Sequence, residues 1–85
     1  MTQDWMIEAQ RLMAEREAAR QEIGQLTKRQ VEVVTYITKG FRAREISVLM
    51  GCSDSSVMTH IARASRTLAT DHRGLLVLGV KAGLA

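Results

Sequence analysis

The chain has 85 residues, a formal net charge of +3, one cysteine and no proline. A chain of this length makes one small domain, and a sensory or catalytic domain does not fit beside it. So small a domain buries only a modest core, so we expect a second copy to add stability. A single cysteine excludes a disulfide framework within the chain and is typical of a reducing compartment.

The chain has no segment that is typical of a membrane or secreted protein. No apolar run approaches the ~18 residues that a membrane span needs. Acidic and arginine side chains interrupt the N-terminal segment throughout, so a signal peptide is not expected either. The expected location is the cytoplasm, with no membrane partner.

Charge is distributed unevenly along the chain. Residues 1–24 carry five acidic and three basic side chains, whereas residues 25–70 carry seven basic and three acidic ones. A basic segment of this kind is typical of a domain that binds a polyanion. Many small domains are mildly basic without such a role, so charge alone favours a nucleic-acid partner only slightly.

The first predicted element is a helix over about residues 4–22, rich in alanine, glutamate, arginine and leucine, which are good helix formers. Its apolar residues follow a four–three spacing: Trp5, Ala9, Leu12, Ala19 and Ile23. Arg16 interrupts that stripe at an expected apolar position. Two interpretations stay open, because the helix either packs on the rest of the domain or forms a short dimer contact.

The next two predicted helices have clear start and stop signals. Thr27 and Gln30 match a T-x-x-Q capping box, and Gly40 ends the helix. Its apolar face comprises Val31, Val34 and Ile37. The third helix covers residues 42–50, and its expected core residues are Ile46, Leu49 and Met50. Gly51 then suits a left-handed turn, because it has no Cβ.

A fourth helix is predicted over residues 54–69, with Ser53 as its N-cap. One face is apolar, formed by Val57, Ile61, Ala64 and Leu68. The opposite face is small and mostly uncharged, formed by Ser55, Met58, Thr59, Ala62 and Arg66. Two helices joined by a glycine turn, the second with two such faces, predict a helix-turn-helix. The second helix of that motif lies along base edges in the major groove of DNA.

The fifth predicted helix begins near Thr70 and Asp71, and it is apolar around most of its circumference. Its apolar residues are Leu75, Leu76, Val77, Leu78 and Val80. A terminal helix of a small domain has only one face for its own core, so the excess predicts a partner, most simply a second copy. Gly79 would let a neighbouring backbone approach closely.

One set of positions in residues 26–84 falls in register with a known family: Leu26, Thr27, Arg29, Val33, Val34, Gly40, Glu45, Ile46, Gly51, Ser53, Val57, His60 and Leu68. By these positions, residues 26–84 resemble the LuxR/GerE-type helix-turn-helix DNA-binding domain. The resemblance implies an all-α fold, namely a LuxR/GerE-like four-helix domain over residues 25–85, preceded by an extra N-terminal helix over residues 1–24. Its last helix would be the dimerisation helix.

By this resemblance, we expect a bacterial or phage transcriptional regulator that binds double-stranded DNA, as a homodimer. With the charge pattern, it implies a set of DNA-contacting residues: Thr27, Lys28, Arg29, Arg42, Arg44, Ser53, Ser55, Ser56, Met58, Thr59, Ala62, Arg63 and Arg66. It also implies dimer contacts at Leu75, Leu76, Leu78, Gly79 and Ala82.

The chain departs from the family pattern on the outer face of the fourth helix. The family usually carries lysine or arginine at the positions of Ser55 and Met58. Met58, Thr59 and Ala62, which face bases in the family, either contact thymine methyl groups or contact protein. The second hypothesis is therefore a protein-interaction module, such as an anti-activator that pairs with another transcription regulator. A fragment resembling region 4 of a sigma factor is a weaker third alternative.

We expect no enzyme, no cofactor and no metal site. Cys52, His60 and His72 are too few and unsuitably spaced for zinc. Nothing else in the sequence builds a pocket around a Cys52–His60 pair, and neither a glycine-rich phosphate loop nor a cluster of carboxylates occurs.

Overall fold

The computed structural model describes residues 4–84. In that range the chain forms five α-helices and no strand: α1 (Asp4–Ile23), α2 (Lys28–Thr38), α3 (Ala43–Met50), α4 (Asp54–Thr67) and α5 (His72–Ala82). The predicted all-α fold, with a helix preceding a four-helix unit, is confirmed. None of these five helices is long and apolar enough to cross a membrane.

The core lies where α2, α4 and α5 meet, with α3 packed on α4 and α1 packed on α5. The largest fully buried side chains come from four different helices: Val33, Val34, Ile46, Val57 and Leu75. Each lies on the apolar face of its helix, so burial of these faces is the main favourable contribution to folding. No buried side-chain nitrogen or oxygen in residues 4–84 lacks a hydrogen-bond partner.

The start of α2 is fixed by the predicted capping box. Gln30 donates its backbone N–H to Thr27 Oγ1 at 3.2 Å. Thr27 donates its own backbone N–H to Gln30 Oε1 at 3.0 Å. These reciprocal bonds satisfy two N–H groups that a helix start otherwise leaves unpaired.

Helix α3 begins at Ala43, one residue later than predicted. Arg42 is extended there, and its backbone N–H donates to Glu45 Oε1 at 3.0 Å. The expectation that Leu49 is a core residue is wrong, because Leu49 is 49% exposed. The buried face of α3 runs through Ile46, Ser47 and Met50, and the turn of about 100° per residue places Leu49 outside it.

The turn between α3 and α4 has the predicted geometry. Gly51 has φ +65°, in the left-handed region, and the Cys52 N–H donates to the Ser47 carbonyl at 3.0 Å. Ser53 then caps α4, since its Oγ accepts the Ser56 N–H at 3.1 Å. Helix α4 ends at Thr67, two residues earlier than predicted, and the chain passes through a left-handed Ala69 at φ +52°.

Helix α1 is attached to the rest of the molecule through its C-terminal half. Ala19 and Ile23 are buried, and Arg20 Nε donates to the carbonyl of Ala82 at the end of α5, at 3.1 Å. Trp5 and Leu12 belong to the same apolar stripe, yet they are 69% and 54% exposed. The packing interpretation therefore holds only for the second half of α1. The exposed first half contributes to an elongated molecule of 54 × 21 × 19 Å.

Three of the five residues of α5 that are expected to form dimer contacts are buried. Leu75, Gly79 and Ala82 are buried in the chain's own core, because α5 packs on both α1 and α2. They are therefore not available to a second copy in this conformation. Leu78 is partly buried against the same core. Of the five predicted residues, only Leu76 is exposed.

Gly79 provides close approach within the chain rather than between chains. A Cβ at Gly79 would overlap the Thr38 hydroxyl of α2. Thr38 is held in that place because its Oγ1 donates to the Val34 carbonyl at 2.7 Å. The absence of a side chain at Gly79 therefore sets the distance between α2 and α5.

We expect Gly79→Ala to lower the free energy of unfolding by about 1–2 kcal/mol. Overpacking costs roughly 1–3 kcal/mol, which outweighs the gain of up to about 1 kcal/mol from replacing a helical glycine. Urea denaturation measures the change. The double variant Thr38→Ala/Gly79→Ala is the control, since removal of the Thr38 hydroxyl makes room for the new methyl group. A Gly79→Ala protein as stable as the wild type would contradict the packing described for α2 and α5.

Candidate nucleic-acid interface

Helix α4 has one buried side and one exposed side, as its sequence predicts. Val57, Ile61 and Ala64 are buried, and they pack the helix against α2, α3 and α5. The opposite side carries five exposed residues: Ser55, Met58, Thr59, Ala62 and Arg66. We call these five residues the outward face of α4. Its orientation is fixed by the core, because any rotation of α4 would expose the buried side.

The hydroxyl groups in the first two turns of α4 bond to one another and to the helix backbone. Ser53 Oγ lies 3.1 Å from Ser55 Oγ and donates to Ser56 Oγ at 3.0 Å. One turn further, Thr59 Oγ1 donates to the Ser55 carbonyl at 2.9 Å. The helix start is therefore rigidly capped, and its positive end is exposed beside these hydroxyls.

Exposed basic side chains occur on and beside α4. They are Arg63 and Arg66 on α4, Arg42 and Arg44 at the start of α3, and Lys28 at the start of α2. Within residues 4–84, ion pairs join only Arg11 to Glu8 and Arg29 to Glu32. These five basic groups are thus not neutralised by the chain itself, and they remain available to a polyanion.

A shallow groove runs along one edge of the outward face. It is lined by Ser55, Ser56, Thr59, His60 and Arg63. His60 is half-buried there, at the border between the buried side and the outward face of α4. A groove with hydroxyls, an imidazole and a guanidinium offers several donors to a phosphate group.

Arg29 has a structural role that the sequence did not indicate. Its guanidinium donates to Glu32 Oε2 at 3.0 Å and to the carbonyl of Met50 at 3.2 Å. It therefore ties α2 to the C-terminal end of α3, just before the turn. No local pattern shows this contact, because Met50 lies 21 residues away. Thr27, which is also among the expected DNA contacts, uses its hydroxyl to cap α2.

Residues 24–78 match the family model GerE, described as bacterial regulatory proteins of the luxR family. This match covers more than half of the chain. The chain belongs to the luxR family. A search of curated proteins found no relative that matches the chain.

The luxR-family match covers α2, α3 and α4 completely and extends into α5 as far as Leu78. It therefore includes the helix-turn-helix, the outward face and all five exposed basic groups. Helix α1 precedes the matched residues. No group of three or more histidine, cysteine, aspartate or glutamate side chains within residues 4–84 is placed to hold a metal ion.

We expect Arg29→Ala to lower the free energy of unfolding by about 1 kcal/mol, the usual contribution of a hydrogen bond to stability. Lys28→Ala is the matched control, because Lys28 is the exposed neighbouring base and forms no hydrogen bond or ion pair of that kind in the described chain. Urea denaturation of both variants measures the difference. Equal stability of the two variants would show that the Arg29 contacts contribute nothing.

Proposed function

We propose that this luxR-family protein regulates transcription by binding double-stranded DNA, without catalysis, with α4 in the major groove. The observation that carries the proposal is the outward face of α4, bordered by basic side chains that the chain does not neutralise. The major groove is about 12 Å wide and admits one α-helix. A helix braced from behind by α2 and α3 enters it as a rigid unit.

The contacts divide by chemistry. Met58, Thr59 and Ala62 lie where a helix-turn-helix presents side chains to base edges. The phosphate contacts come from the start of α4 with Ser53, Ser55 and Ser56, and from the exposed bases Lys28, Arg42, Arg44, Arg63 and Arg66. Phosphate contacts supply most of the affinity and position the helix, whereas base contacts supply the sequence preference.

We propose that two copies bind together, through the exposed face of α5. Leu76, Val77 and Val80 are 37%, 46% and 62% exposed and lie on one side of that helix. Groups of exposed apolar side chains of this kind mark interaction surfaces. This face replaces the earlier set of Leu75, Gly79 and Ala82, which the core of the chain already uses.

Binding to duplex DNA from the promoter beside the protein's own gene, measured at several salt concentrations, tests the DNA contact. We expect a steep decrease in affinity with salt, because each phosphate contact contributes about 0.9 to the slope of log K against log salt. Arg66→Ala should reduce that slope by about one unit per subunit. Arg11→Ala is the matched control, since it removes the same charge from the exposed part of α1 and should leave the slope unchanged.

Sedimentation at micromolar concentration tests the dimer. We expect Leu76→Asp to raise the dissociation constant at least tenfold, about 1.4 kcal/mol, because an unpaired carboxylate would be buried in the contact. Val48→Asp is the matched control, since Val48 is a 78% exposed apolar residue on α3. A wild-type protein that sediments only as a monomer would contradict the proposed dimer.

The second candidate function is that of a protein-interaction module that pairs with another transcription regulator. The observation in its favour is the exposed first half of α1, where large apolar side chains meet solvent: Trp5, Met6, Ile7, Leu12 and Met13. Failure to bind DNA even at low salt, together with a stable complex with a second regulator, would favour this candidate over the first. Substitution of Trp5 should weaken that complex and leave DNA binding unchanged.

A further inference from the structure

The outward face of α4 presents methyl groups where a reader of bases usually presents hydrogen-bonding groups. Thr59 Oγ1 donates to the Ser55 carbonyl at 2.9 Å. Since the hydroxyl is held by the preceding turn, the methyl group is the part of the Thr59 side chain that is left for a ligand. Met58, 54% exposed, and Ala62 add a thioether methyl and a Cβ methyl beside it.

These three side chains form one small apolar patch. Ala62 lies three residues after Thr59 and four after Met58, and residues at these spacings are neighbours on a helix surface, about 5–6 Å apart. The Ser55 hydroxyl on the outward face is also engaged, because Ser55 Oγ lies 3.1 Å from Ser53 Oγ. Redirecting these hydroxyls to a base would disturb the network that caps α4.

The chemistry of the patch selects among the four bases. Guanine is usually read by arginine or lysine, adenine by asparagine or glutamine, and cytosine by glutamate or aspartate, whereas thymine alone offers a C5-methyl group to apolar contacts. None of these six side-chain types occurs at Ser55, Met58, Thr59 or Ala62. Arg66 shares this face but lies in the last turn of α4, whereas base edges are contacted by the first turns of a recognition helix.

We propose that α4 recognises thymine through its C5-methyl group, with Thr59 as the central contact and Met58 and Ala62 beside it. The proposal rests on the proposed function, because it requires α4 in the major groove. It goes further by naming the base and the chemical group that determine sequence preference.

The test uses duplexes that differ only in that methyl group. The wild-type protein first selects its best-bound duplexes from a random-sequence pool. The best-bound duplex is then synthesised in two forms, one with thymine and one with deoxyuridine at every thymine position. Deoxyuridine pairs in the same way but lacks the C5-methyl group. We expect the thymine form to bind about fourfold more tightly for each methyl group contacted, the factor that corresponds to burial of one methylene-sized group.

Two variants of Thr59 form a matched pair. Thr59→Ser keeps the hydroxyl that bonds to the Ser55 carbonyl and removes the methyl group. Thr59→Val keeps a methyl group and removes the hydroxyl. Serine, threonine and valine have similar helix propensities, so both variants should fold. We expect Thr59→Val to retain the wild-type ratio of thymine to deoxyuridine affinity, and Thr59→Ser to reduce that ratio about fourfold for each bound subunit.

The outcomes separate this inference from the proposed function. Equal binding of the wild type to both duplex forms would overturn the inference while leaving DNA binding in place. Loss of discrimination in Thr59→Val but not in Thr59→Ser would overturn it too, because the hydroxyl would then be the reader. If the wild type enriches no duplex from the pool, the proposed function itself fails, and the thymine contact fails with it.

Discussion

Burial of Val57, Ile61 and Ala64 holds α4, the candidate DNA-contacting helix, in its place in the fold. These side chains fasten α4 to α2, α3 and α5 and thereby determine which residues of α4 face outward. The glycine turn at Gly51 and the cap at Ser53 then define where the helix starts. Because the start and one side of α4 are constrained, its outward face is presented in one orientation, as a groove-binding helix requires.

The sequence predicted most of this architecture because its signals are local. The capping box at Thr27, the left-handed glycine and the Ser53 cap depend on residues only a few positions apart, and each is present in the structure. The four–three spacing of α4 likewise predicted its buried side. The expectation that Leu49 is buried was wrong because α3 has only two turns. So short a pattern does not determine which of two adjacent apolar residues faces the core.

Contacts between distant parts of the chain could not be predicted from such local signals. The bond from Arg29 to the Met50 carbonyl and the contact between Gly79 and Thr38 depend on how helices pack. Because α5 is apolar on most of its sides, the sequence predicted that part of its apolar surface stays outside the core. The sequence did not show which side is buried, because that depends on α1 and α2, which pack against the side with Leu75, Gly79 and Ala82. The exposed side is consequently formed by Leu76, Val77 and Val80.

The two candidate functions use two different surfaces. DNA binding uses the outward face of α4, whereas pairing with another regulator uses the exposed apolar stripe of α1. Chemical-shift mapping of the 15N-labelled protein with double-stranded DNA distinguishes them residue by residue. We expect amide signals from Ser53 to Arg66 to shift most and those around Trp5 and Leu12 to stay unchanged. Shifts confined to α1, with α4 unchanged at saturating DNA, would contradict DNA binding through α4.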